Sequence, residues 1–321
     1  MHIGQSGSQA SRPAVLVTGG AGKLGRAVVR DLAGCGYRVV AADRVPSPRN
    51  AAGGRHVELE LTDTGQLLSA MRGCELVIHL GAIRAPYNNP DQVVFANNTG
   101  ATFAVLAAAE TLGVRRVVVA SSISILGDAF AAAPSTPQYA PVDEAHPLRA
   151  EDPYALSKAV DEMSCAMFWR RTGVPVALLR LAWVAELAEA RDRAQELDGD
   201  PSSNTHMRSV LWSYVSVRDA AAACRHALEA DTAGVRAYNI TAADTLLNGL
   251  TADVIAAHAP AVEIRSAIDG HDTAWSLDRA RRELGFEPRE SWRNFETVTA
   301  QENGFQGRAL PRELSSPWRK A

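Results

Sequence analysis

Short aliphatic runs alternate with longer stretches of helical periodicity along most of the chain. Ala14 to Val17 reads as a buried strand, and Leu24 to Leu32 carries apolar positions at helical spacing. Arg38 to Ala42, ending at Asp43, then His56 to Leu61 and Leu76 to Leu80 predict three further strands. Arg116 to Ala120 and Val174 to Leu181 predict a fifth and sixth. Helices are expected over Gln92 to Leu112 and from Asp152 to about Arg171, the second with Asp152 as N-cap and Pro153 at its first position. Leu126 to Pro147 has no periodicity, and a loop of that length is usually functional or mobile.

Beyond the sixth strand the pattern shortens. Glu186 to Asn204 predicts a surface helix followed by a loop, and Trp212 to Val217 alternates as a strand. A helix from Asp219 to about Glu229, a strand over Ala237 to Ile240, and short helices at Thr251–His258 and Leu277–Leu284 complete the pass. Strands alternating with helices predict an α/β fold built on a doubly wound parallel sheet, with a smaller C-terminal lobe.

Composition narrows the possibilities by exclusion. With 321 residues, 46% of them hydrophobic, the chain can bury a full core. A net charge of −3 gives no basic field for nucleic acid. Residues 1–12 are rich in Ser, Gln and Gly without an apolar segment, so a disordered tail is expected there rather than a signal peptide. No run is long enough to span a membrane. The four cysteines are scattered, without metal-ligand spacing, as expected of reduced thiols in a cytoplasmic protein with no bound metal.

The chemistry lies at the ends of the predicted strands. Gly20, Gly22 and Gly25 satisfy G-x-G-x-x-G, and Gly19, Gly22 and Gly25 satisfy the variant T-G-x-x-G-x-x-G that starts at Thr18. Between a strand and a helix, such glycines permit a tight turn, a close backbone approach to a pyrophosphate and close helix–strand packing. The following helix start, at Lys23 and Leu24, offers backbone N–H groups to that pyrophosphate. Asp43 lies where this arrangement places an acid on the adenosine ribose; its charge favours NAD over NADP, although Arg44 beside it is suited to a 2′-phosphate. Asp63 reads as a helix cap or an adenine contact. Gly81 and Ala82, after Leu80, leave room for a ligand at a strand end, while His79 within its apolar strand reads as a core histidine.

Asn97, Asn98 and Gly100 fall close together on one helix, where a buried amide needs a hydrogen-bonding purpose. Tyr154 and Lys158, four residues apart, share a helix face. An ammonium beside a phenol favours the phenolate, which fits Tyr154 for moving a proton. Ser122, at the end of the fifth strand, is placed to hydrogen-bond the same substrate oxygen.

From Pro13 to about Pro288 the chain resembles the extended short-chain dehydrogenase/reductases, the NAD-dependent epimerase/dehydratase family, on Thr18–Gly25, Leu80-Gly81-Ala82, Asn97-Asn98-Thr99-Gly100, Ser122 and Tyr154-x-x-x-Lys158. The resemblance implies a Rossmann fold, NAD as cofactor and hydride transfer. In it Tyr154 moves the hydroxyl proton, Ser122 positions the oxygen, and Lys158 binds the nicotinamide ribose and tunes the tyrosine. Asn97 stands in the family's asparagine position, holding a water in the proton path. Asp43 and Asp63 become ribose and adenine contacts, and a homodimer is implied through the two long helices.

Departures from the family pattern restrict the reaction. Dehydratases carry an acidic pair where Ile123 and Ser124 stand, so dehydration is not expected. Arg180-Leu181-Ala182-Trp183-Val184-Ala185 keeps the arginine of the epimerase motif and loses its Asn and Gly. The layout resembles the small uronate dehydrogenases, which makes Arg84, Ile123 and Arg180 candidate substrate contacts, with an internal brace as the competing role for Arg180. The expectation is an NAD-dependent oxidoreductase acting on a small hydroxyl or carbonyl substrate such as a sugar or sugar acid. The alternatives are a nucleotide-sugar epimerase and a non-catalytic NAD-binding regulator. The expected division is a cofactor domain over 13–181 and a substrate lobe over 182–321, interleaved with late sheet elements at about 208–240.

Overall fold

The computed structural model describes residues 12–46, 53–87 and 89–295. The expected N-terminal tail, apart from Arg12, and the stretch from residue 307 lie outside the described residues. In chain order the elements are β1 (Ala14–Thr18), α1 (Lys23–Gly34), β2 (Arg38–Asp43), β3 (Arg55–Glu58), α2 (Thr64–Met71), β4 (Leu76–His79), α3 (Asp91–Leu112) and β5 (Arg116–Ser122). There follow β6 (Tyr139–Ala140), α4 (Pro153–Thr172), β7 (Val176–Leu181), β8 (Trp183–Ala185), α5 (Leu187–Leu197), α6 (Thr205–Ser209) and β9 (Tyr214–Ser216). The last are α7 (Val217–Glu229), β10 (Val235–Ile240), α8 (Thr251–His258), β11 (Glu263–Ile264) and α9 (Asp278–Leu284).

Seven strands form one parallel sheet in the order β10-β7-β5-β4-β1-β2-β3. Its strands are apolar on both faces because both are covered. Val15 and Val17 of β1 enter the core on one face, while Ala14 and Leu16 enter the core on the other. The same alternation separates Ala177, Leu179 and Leu181 of β7 from Val176 and Leu178. Helix α1 buries Gly25, Val28, Val29 and Leu32, a stripe at helical spacing, and packs beside α7. On the opposite face α3 packs between α2 and α4.

The chain winds outward in both directions from the neighbours β1 and β4, so the carboxyl ends of these strands border the crevice where such sheets take ligands. The predicted strand at Trp212–Val217 shortens to β9, because Leu211 and Trp212 take positive φ, 52° and 53°, in the turn that enters it.

The stretch 126–147 differs from the expected unstructured loop. Tyr139 and Ala140 pair with Glu263 and Ile264, and Val142 N–H donates to the Ala274 carbonyl at 2.8 Å. The segment closes on itself where Arg149 N–H reaches the Leu126 carbonyl at 3.0 Å. The hydrogen bonds that fix it to the rest of the molecule reach residues far along the chain, which local periodicity does not register.

Candidate active site

The glycine turn is held by steric necessity. Gly19 has φ +68°, and a Cβ there would stand 2.9 Å from Gly81 N. At Gly25 a Cβ would meet the Gly19 carbonyl oxygen at 2.0 Å, so α1 starts almost in contact with the turn. Gly22 is the N-cap of α1 and makes no side-chain cap, which leaves first-turn N–H groups to an external anion. A dinucleotide pyrophosphate fits that start. Asp43, at the end of β2, accepts from Ala21 N–H at 3.0 Å and so borders the same turn. Arg44 beside it is exposed. Lys23 is engaged by Glu189 of α5, and Leu24 packs against the core.

Thr18 does not face the crevice as expected: it is fully buried. Its hydroxyl bonds His79 Nδ1 at 2.7 Å and accepts from Leu80 and Gly81 N–H at 3.2 Å each, joining the ends of β1 and β4. Both oxygens of Asp63 serve Gln66 at the start of α2, which makes it a helix cap. His79, also held by Thr102 at 3.2 Å, is the core histidine expected.

Burial, assisted by the Lys158 charge, drives the His79 pKa from 6.5 to about 3, so the ring is neutral when folded. A folded-state pKa below the unfolded one gives stability that is fully present above about pH 6.5 and is lost as pH falls toward 3. Denaturant midpoints across this interval are expected to fall less for His79→Gln than for the wild type.

Helix α4 brings the chemical groups to the end of β5. Asp152 caps it, accepting from Tyr154 and Ala155 N–H at 2.8 and 2.9 Å, and Gly173 closes it at φ 71°. Tyr154 and Lys158 are 8% and 3% exposed. Lys158 Nζ lies 5.9 Å from the centre of the Tyr154 ring and donates to the Ala120 carbonyl on β5 at 3.0 Å. It also pairs with Asp161, 3.2 Å away. Ser122 ends β5 with its Oγ accepting from Ser124 N–H at 3.1 Å, so its own hydrogen remains to be donated. Phe130 meets the Tyr154 ring edge-on at 5.9 Å and stacks on His206 at 4.9 Å, with Tyr87 on its other side at 5.3 Å.

Three expectations need correcting. Asn98, not Asn97, is the buried amide: it holds the Ile83 backbone through both its oxygen and its nitrogen, at 2.8 and 2.9 Å, and donates to Ser157 Oγ at 3.1 Å. Asn97 is half-buried and donates to Asn98. Ile123 is 3% exposed and belongs to the core with Ile125 and Leu126, which leaves its side chain little surface to offer a substrate. Arg180 is an internal brace, with Nε and a terminal nitrogen on the Glu162 carboxylate at 3.0 and 2.8 Å and the other on the Glu144 carbonyl at 3.2 Å. Ser121 completes that brace by donating to Glu162 at 2.7 Å. Arg84 stands exposed on the loop after β4. Sequence reasoning missed Asp161, whose signal was an acid three residues after Lys158, and the aromatic group, whose members lie far apart in the chain.

Known proteins resemble this chain in sequence and in fold. The chain is 29% identical over 227 residues to an L-arabinose 1-dehydrogenase (NAD(P)(+)) of Haloferax volcanii, covering 67% of this chain and 82% of that enzyme. It is 32% identical over 158 residues to a UDP-glucose 4-epimerase of Streptomyces lividans, covering 46% of this chain and 45% of that one. A short-chain dehydrogenase/reductase superfamily protein of Agrobacterium tumefaciens, solved with bound NAD, superposes with a TM-score of 0.68 at 26% identity, over 91% of this chain and 98% of that one. The model of the NAD dependent epimerase/dehydratase family matches residues 15–241, from the first strand of the sheet through the last. That unbroken match makes the chain a member of the NAD dependent epimerase/dehydratase family.

Proposed function

We propose that the protein is an NAD-dependent dehydrogenase of a small hydroxylated substrate, a free sugar or a compound like it. The observation that carries this reading is the buried Tyr154–Lys158 pair against the end of β5, where Ser122 keeps a hydroxyl hydrogen to give. Tyr154 takes the proton from the substrate hydroxyl, and Ser122 orients the same oxygen. The Lys158 ammonium stabilises the phenolate through space. Bound NAD supplies the hydride acceptor. The α1 start at Gly22 receives its pyrophosphate, with Gly19 and Gly25 giving the backbone room, and Gly81 and Ala82 bound the crevice. Asp43 takes the adenosine ribose and disfavours a 2′-phosphate.

The extent of the match to the arabinose dehydrogenase supports a free sugar. With Arg180 committed to Glu162, a sugar acid loses one of the two guanidinium groups expected to bind its carboxylate, leaving Arg84. The test is reduced-nicotinamide absorbance on mixing protein and NAD with neutral sugars, sugar acids and simple alcohols. Signal is expected with neutral sugars; signal only with sugar acids overturns the substrate class.

The second reading is an epimerase, favoured by the 158-residue match to the UDP-glucose enzyme, which spans about half of that protein. Silence across the panel, with NAD retained through purification, would select it. The remaining proposals are a cofactor domain over 13–181 with a substrate lobe over 182–321, a cytoplasmic location and a homodimer. The dimer is supported by the outer face of α3 and α4, where Phe103, Leu156 and Met163 are exposed beside a groove lined by Leu106, Ala107, Met167 and Phe168. Among the described residues no helix is long and apolar enough to cross a membrane.

A further inference from the structure

Asp161 follows Lys158 by three positions and so stands over the same face of α4. Its Oδ2 accepts from Lys158 Nζ at 3.2 Å, and both side chains are sealed, at 1% and 4% exposed. Desolvating a carboxylate is costly, and the ammonium 3.2 Å away compensates part of that cost. The Lys158 ammonium already has a backbone acceptor in Ala120, so Asp161 adds charge compensation to a bond that exists without it.

The neighbours of the pair do not supply a competing charge. Burial raises the Asp161 pKa and the Lys158 charge opposes that rise, while Thr102 of α3 bonds His79 of β4, which is neutral. On α4 itself, burial pushes the Cys165 thiol up, so it stays neutral, and Glu162 is spent on Arg180 of β7. Tyr154 is the remaining titratable group beside Lys158.

We propose that Asp161 is a positioning residue that sets the working pH of the Tyr154–Lys158 pair, by pinning the ammonium and cancelling part of its field at the phenol. The inference rests on the roles given above to Tyr154 and Lys158. A lone ammonium acts on the phenol as a full charge; with a carboxylate 3.2 Å away it acts as a dipole, whose field is weaker and falls faster with distance. Asp161 therefore weakens the pull of the ammonium on the phenol oxygen. It also protects the ammonium. Burial alone would lower the Lys158 pKa, but the attraction of Asp161 and Tyr154 outweighs it and holds the lysine above its ordinary value. Without Asp161 the phenol feels the whole ammonium charge and the lysine gives up its proton at lower pH, so the whole activity profile slides toward acid.

The test is Asp161→Asn, which keeps the shape and removes the charge. Tyr154 is titrated by its ultraviolet phenolate absorbance in substrate-free protein, each background corrected with its Tyr154→Phe counterpart. The Tyr154 titration is expected to move down by about one pH unit, and both limbs of the kcat profile to move the same way. A titration that stays in place or moves up overturns the proposal. Asp161→Ser, which also removes the charge but with a smaller side chain, should give a downward shift of the same sign. It serves as the deciding variant should Asp161→Asn fail to fold, and no shift in it then counts against the proposal. The absorbance readout needs no turnover, so it judges Asp161 even if the substrate panel defeats the dehydrogenase reading.

Discussion

Tyr154→Phe is expected to lower kcat by roughly three orders of magnitude while NAD affinity stays within about twofold of the wild type, since no binding contact assigned above depends on the phenol oxygen. The substitution removes one oxygen and leaves the rest of the setting in place. The ring keeps its edge-on contact with Phe130 at 5.9 Å, and the Asp152 cap acts on backbone N–H groups that do not change. Lys158 keeps Ala120 and Asp161 as partners. The loss therefore falls on the proton transfer. Steady-state kinetics together with quenching of intrinsic fluorescence by NAD separate the two quantities. Turnover within tenfold of the wild type would remove Tyr154 from the proton path.

Arg180→Ala is expected to act on stability instead. Its guanidinium is 5% exposed and makes two bonds to Glu162 and one to the Glu144 carbonyl. Truncation leaves the Glu162 carboxylate, 12% exposed, with only the Ser121 hydroxyl, and removing one partner of such a largely enclosed pair costs up to about 3–5 kcal/mol. For a chain of this size the melting temperature should fall by on the order of 10 °C. Replacing both partners, Glu162→Gln with Arg180→Met, should recover part of the loss, because no uncompensated charge then remains. Calorimetry of the three proteins measures this. A substrate role predicts the opposite pattern, a raised KM at unchanged stability.

Much of the fold was legible because it depends on local rules. The short continuous apolar runs of β1 and β7 and the 3.6-residue stripe of α1 are consequences of backbone geometry and burial that sequence displays directly. The same holds for the Asp152-Pro153 start of α4 and for the glycine turn, where Gly25 has no room for a Cβ. What was not legible depends on partners distant in sequence. Arg180 turned inward because Glu162 and Glu144 wait there, and no local pattern distinguishes that from an arginine facing a ligand. Asn97 and Asn98 differ by one helical step of rotation, and only the position of Ile83 decides which is enclosed. Ile123 enters the core because Ser122 caps the turn that follows β5 and swings it inward.

The hydrophobic core on the α1 side of the sheet includes Val15 and Ala41 and runs without a break to Trp212, Leu246 and Trp275, within the stretch proposed above as the substrate lobe. For protein engineering this means that the lobe is no interchangeable cassette. A graft that imported another enzyme's lobe would cut through continuous packing and leave mismatched volumes on both sides of the seam, at a cost of several kcal/mol. Selectivity is more accessible at the half-buried rim, where Phe130 stands between Tyr87, His206 and Tyr154 and side chains can be exchanged without opening the interior.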